Sequence, residues 1–282
     1  MDTGQSSLQA VVQRRGTALV VASLGSAVLG LLASWPYKEE TGNWVLQAQG
    51  QDLGNLVAVV ALIVGAVRMR AGSLKAVQLW AGTLFYVLHA YIVYSFAVHF
   101  GRLFLVYVAI LGLVFYTLIA ALPTRARPAA YPRGAVRVFA AWVLIGTGAL
   151  FALLWLSEPI PATVSGQAPP SQQAAGLIVN PIHVIDLSVV LPGMITIGIL
   201  ALRGNRTGLF LTVPALVFCV LMGSSIIAAM LLIVMSGDTS GLAPMVMVSV
   251  VVDTSLAAAL AYVRRLTGPL NHPHASIHRI GG

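Results

Sequence analysis

Residues 208–235 read GLFLTVPALVFCVLMGSSIIAAMLLIVM, 28 consecutive positions without a charged side chain. A helix rises about 1.5 Å per residue and a bilayer's hydrocarbon core is about 30 Å thick, so roughly 20 apolar residues cross it. This stretch exceeds that length and predicts a membrane-spanning helix that tilts or runs past the bilayer. Carried outward, the same reading finds seven further runs: Thr17–Trp35, Leu53–Val67, Ala76–Val98, Leu103–Leu122, Ala135–Leu156, Ile182–Leu202 and Ala243–Val263. The expected fold class is all-α, a polytopic bundle of eight transmembrane helices forming one integral membrane domain over 1–282.

Composition points the same way. The chain is 58% hydrophobic and 9% charged, whereas soluble domains carry roughly 25% charged residues. No stretch between apolar runs is long enough to fold alone in water. The net charge of +8 is read as membrane topology and not as nucleic-acid binding, because basic residues collect at the cytoplasmic ends of spanning helices. Fourteen positions fall on one side: Arg14, Arg15, Arg68, Arg70, Lys75, Arg125, Arg127, Arg133, Arg137, Arg203, Arg206, Arg264, Arg265 and Arg279. Lys38 and Arg102 fall on the other. Both termini are therefore expected in the cytoplasm, with the chain in a bacterial plasma membrane. Arg14-Arg15 before an apolar run also resembles a secretion signal, but the run is long and no A-x-A site follows. The single cysteine, Cys219, lies inside an apolar run and excludes disulfide frameworks and cysteine-rich metal sites.

The order of features suggests a 4+4 parallel repeat, with halves 1–128 and 129–268 and a flexible tail, 269–282. Helices one and five are each followed by an outer loop, Tyr37–Gln51 and Ser157–Asn180. Each loop leads to an aspartate near the outer end of the next helix, Asp52 and Asp186. Halves of four helices share one orientation, so a pseudo-two-fold axis along the membrane normal is expected. The second loop, rich in proline and glutamine, cannot be one regular helix and would be a strap or a lid. The tail histidines, His272, His274 and His278, would belong to a loose cytoplasmic end or scavenge metal.

Ionisable groups inside a bilayer cost about 2.5–3.5 kcal/mol at the helix centre, so they point to function. Asp52 and Asn55 share a helix face at i,i+3 spacing, as do His183 and Asp186. With Tyr94 and Arg102 they form a candidate polar cavity open to the outer face. Tyr91 and His99 lie at similar depth. The bland reading stands beside this one: Asp52 and Asp186 cap helix N-termini or pair with Arg102, and the tyrosines form an aromatic belt. His89 and Asp253 lie deeper, near the middles of helices three and eight. Asp253 needs a partner or a wet cavity, and His89 is one candidate partner. His183, Asp186 and Asp52 are the candidate metal ligands. Pro192 and Pro214 should kink their helices. Ala22-x3-Ser26-x3-Gly30 is a stripe suited to close helix contact. GxxxxGK[ST], HExxH, GxSxG, CxxC and TVGYG-like motifs are absent.

Gln51–Leu56, the tyrosine-bearing helix three, Leu103–Ala109 and Asn180–Leu187 followed by Leu191-Pro192 resemble a family of uncharacterised prokaryotic polytopic membrane proteins. The resemblance runs over most of the chain from Gln51 and implies no activity. Three functions stay open at this point. The first is binding or transport of a small solute or ion, proton-coupled through Asp186 or Asp253. The second is an accessory or scaffold subunit, with a partner membrane subunit or a homo-oligomer. The third is a membrane enzyme using a metal or quinone, whose cofactor the sequence does not identify. In all three the lipid bilayer is a partner.

Overall fold

Each apolar run folds as a helix, because a backbone in hydrocarbon must satisfy its own N–H and C=O groups. The computed structural model describes residues 3–70, 73–125 and 130–267. Its helices are α1 Thr3–Leu32, α2 Gly42–Arg70, α3 Leu74–Ala97, α4 Phe104–Arg125, α5 Ala135–Leu156, α6 Pro159–Ser165, α7 Pro170–Ala174, α8 Pro181–Ile185, α9 Leu191–Leu202, α10 Arg206–Met235 and α11 Leu242–Arg265. A π-helical turn, Asp186–Val190, joins α8 to α9 in one continuous path, and a 3-10 turn, Thr239–Gly241, precedes α11. An isolated bridge pairs Ala130 with Thr267. Arg127, the tail from 268 onward with Arg279, and the side chains of Arg14, Arg15, Arg70 and Arg125 lie outside the described residues.

Six helical stretches are long and apolar enough to cross a membrane: Gly42–Met69, Leu74–Ala97, Ala135–Ser165, Pro181–Leu202, Arg206–Met235 and Thr239–Arg265. Gly16–Leu32 and Phe104–Ala120 are shorter apolar helices. The exterior is greasy: Leu32 and Phe100 are each 83% exposed, and Leu105 and Leu153 exceed 70%. The interior instead buries Asp52, Asn55, Gln78, Thr83 and His89. An apolar outside around a core that also takes in polar and charged side chains is what an integral membrane protein presents.

One expected boundary fails. α2 begins at Gly42, so residues 42–51 are helix and not outer loop. Trp44 and Ala48, one turn apart, are buried, and the Trp44 indole donates to the Ala97 carbonyl at 2.9 Å. Gln47, Gln49 and Gln51 interrupt the apolar run without interrupting the helix, glutamine being a good helix former. The second outer loop holds two short helices, α6 and α7, each with proline in its first turn, where its missing N–H is harmless.

Contacts fix the packing. α1 packs on α2 and α4, and α3 packs on α2 and α4, closing a ring of four. α5 packs on α9 and α11, and α10 packs on the same two, closing a second ring. The rings meet where α2 and α3 lie against α10, and α8 also touches α3. Small residues allow the tightest crossing: Gly50 and Gly54 of α2 sit on Ala229 and Ser225 of α10, a small-xxx-small stripe on each side. On the other contact, Gly82 of α3 lies against the Pro214 carbonyl. Pro214 has no N–H to give to the carbonyl four residues back, Phe210. Gln78 of α3 donates its side-chain amide there at 3.3 Å. The carbonyl that Pro214 leaves without its intrahelical donor is thus satisfied from a neighbouring helix.

Candidate functional site

Asp52 is the eleventh residue of the 29-residue α2, so it is not an N-cap as the sequence suggested. Its carboxylate is 1% exposed and accepts two phenols, Tyr37 on Oδ2 and Tyr94 on Oδ1, both at 2.7 Å. The Asn55 amide reaches the Tyr94 hydroxyl at 3.4 Å. Space for the carboxylate exists because residue 30 is glycine: a β-carbon there would overlap Asp52 Oδ2. The Ala22-Ser26-Gly30 stripe therefore has chemistry opposite it after all. Ser26 contacts the Tyr91 hydroxyl at 2.5 Å, and Tyr107 of α4 stacks on Tyr94 with centroids 5.0 Å apart. Tyr37 comes from the connection after α1. Burial, then the neighbouring Asp52 charge, raises its phenol well above the ordinary range, which keeps it a donor. Glu40 of the same connection accepts the His99 N–H at 2.7 Å and fastens it to the end of α3.

Asp186 opens the π turn. Pro192 explains that turn. It lacks the N–H that would bond the carbonyl of Ser188, and its ring would strike that carbonyl. The helix widens, and the Leu191 N–H bonds the Asp186 carbonyl five residues back. π turns concentrate at functional sites. Asp186 Oδ1 lies 2.8 Å from Nε2 of His89, and Oδ2 accepts the Trp155 indole N–H at 2.8 Å. Trp155 lies against His183, centroids 5.1 Å apart, and the His89 ring meets Phe218 edge-on. The second His89 nitrogen, Nδ1, is buried without a hydrogen-bond partner among the described residues.

α3 lies between the two carboxylates. It gives Tyr94 to Asp52 and His89 to Asp186. One turn before His89, Tyr86 accepts the Gln51 amide at 2.6 Å, and Ser225 of α10 donates to Gln51 Oε1 at 3.3 Å. One helix thus carries polar contacts into both rings.

No protein-family model, curated protein or solved structure matches the chain. Function has to be read from these side chains themselves.

The six cavity candidates do not share one site. Asp52, Asn55 and Tyr94 form one sealed cluster, and Asp186 with half-buried His183 forms another. Arg102 belongs to neither: it is exposed, with its guanidinium 5.6 Å over the Trp35 ring. The candidate metal set does not assemble. No three His, Cys, Asp or Glu side chains converge among the described residues. Asp52 is held by phenols and Asp186 by His89 and Trp155. His89 does have an aspartate partner, but it is Asp186 and not Asp253. Asp253 is exposed on α11. Sequence reasoning missed Tyr37, Gln51 and Trp155. The available signal was that buried carboxylates need N–H or O–H donors within reach, and each of these residues can donate.

Proposed function

We propose that the chain is one multi-pass domain of a bacterial plasma membrane that binds or translocates a small ion or solute, coupled to a proton exchanged at the Asp186–His89 pair. The observation that carries this reading is a carboxylate and an imidazole 2.8 Å apart, at a π turn, where the second four-helix ring leans on α3. A carboxyl and an imidazole at this distance can share a proton, and the backbone from Asp186 to α9 departs from regular helix. A change in protonation would remake the contact joining the rings, linking proton binding to conformation.

Gly16–Leu32 and Phe104–Ala120, added to the six longer stretches, give eight crossings. Arg68, Lys75, Arg133, Arg137, Arg203, Arg206, Arg264 and Arg265 collect at one end, which we take as cytoplasmic, as we do the termini. The matching rings of helix contacts support a 4+4 repeat in which Asp52 and Asp186 correspond. The segments Gln51–Leu56 and Asn180–Leu187, which resemble the prokaryotic membrane family, carry these two aspartates, and we extend the reading to that family.

The test is proton uptake by proteoliposomes containing a trapped pH dye, under an imposed potassium potential and a panel of small ions and solutes. Wild type is expected to acidify the lumen with at least one of them, and Asp186→Asn to lose roughly 10-fold or more of that rate. Equal rates in the two proteins would overturn the reading. A second reading, an accessory subunit, is favoured by one fact: every carboxyl oxygen of Asp52 and Asp186 already has a hydrogen-bond partner within the chain. It predicts no uptake by wild type under any condition.

A further inference from the structure

Asp253 sits at the centre of α11, the twelfth of its 24 residues. The helix buries Val248, Val251, Ser255, Ala258 and Tyr262 against α10 and α5. At about 100° per residue, Asp253 projects from the opposite side, and it is exposed. Neighbouring hydroxyls are satisfied by their own helix: Ser249 donates to the Met245 carbonyl and Thr254 to that of Val250, both at 2.8 Å. The Asp253 carboxyl makes no hydrogen bond or ion pair with any described residue. Hydrocarbon offers it none, so its partner lies beyond the described residues.

The pattern around it fits a partner helix. Val246, Val250, Asp253, Ala257, Leu260 and Arg264 are all exposed, and their steps alternate between four and three residues. That 3.5-residue repeat is the spacing that the seam of a left-handed helix pair requires. We infer that α11 pairs with α11 of a second copy, with Asp253 facing Asp253. Copies that share one membrane topology are related by an axis along the normal, so their helices run parallel and like residues meet at equal depth. A carboxyl is its own complement: one, protonated, donates to an oxygen of the other. Ala257, one turn on, permits close approach, and Arg264 lies at the helix end, where it can reach the headgroups. This inference uses the membrane span of α11 and does not rest on proton exchange at Asp186.

The test is self-association of the full chain in lipid vesicles, followed by energy transfer between donor- and acceptor-labelled copies, with oxidative cross-linking of single-cysteine variants. Wild type is expected to dimerise. Asp253→Leu should weaken dimerisation roughly 10-fold, and Asp253→Asn, whose amide is also self-complementary, by no more than about threefold. Disulfides should form at Val250→Cys and Ala257→Cys, but not at Leu256→Cys on the flank. Four results would overturn the inference: a wild-type monomer at every protein-to-lipid ratio, an unweakened Asp253→Leu, equal cross-linking at Leu256→Cys, or a different protein seated on this face.

Discussion

His89→Leu is expected to destabilise the protein by about 3 kcal/mol or more, since breaking a buried pair from one side leaves the other charge uncompensated. His89 is 6% and Asp186 9% exposed, so water does not readily replace the imidazole. The Trp155 indole would remain as the single donor to the carboxylate. Neutral hydrogen bonds between membrane helices are worth only about 0.6 kcal/mol on average, so a loss of that size would mean that the pair carries no charge-assisted energy. The double variant His89→Leu/Asp186→Leu should recover at least half of the loss, because it removes the stranded charge. Reversible unfolding in mixed micelles, followed by tryptophan fluorescence, measures both.

The second large effect concerns the crossing of α2 and α10. Gly54→Leu is expected to cost about 3 kcal/mol or to prevent folding, by forcing atoms into a filled interface. A β-carbon at residue 54 would overlap the Ser225 β-carbon and the Tyr86 hydroxyl. The helices could relieve this only by separating, and that would break the Gln51 bonds to Tyr86 and Ser225. Gly25→Ala is the control. Its added β-carbon meets nothing within 4 Å, and alanine gains up to about 1 kcal/mol of helix propensity. The same unfolding assay should show Gly25→Ala at or above wild type and Gly54→Leu far below it.

The helices were legible because bilayer thickness sets a length and basic residues mark one end of each run. The start of α2 was not. The length criterion counts apolar residues, and three glutamines end the count at Leu53 while the helix runs back to Gly42. That hid the mid-helix position of Asp52 and made it look like a cap. Pro192 was visible as a disturbance, but a sequence does not say whether proline yields a kink or a π turn. Asp253 was legible in depth and not in direction. α11 has valine, methionine or leucine on every side, so its periodicity does not reveal which face is buried. Pairing Asp253 with His89 assumed the inner face. Trp155 gave no sign of its role, because a tryptophan ending an apolar run reads as an interfacial anchor.

The most direct test of proton exchange at Asp186 is the infrared difference spectrum of the reconstituted protein across a pH jump, compared among wild type, Asp186→Asn, Asp52→Asn and His89→Gln. Expected is a carboxyl C=O band that is absent in Asp186→Asn, retained in Asp52→Asn and displaced in His89→Gln. A wild-type band that persists unchanged in Asp186→Asn would contradict proton exchange at this pair.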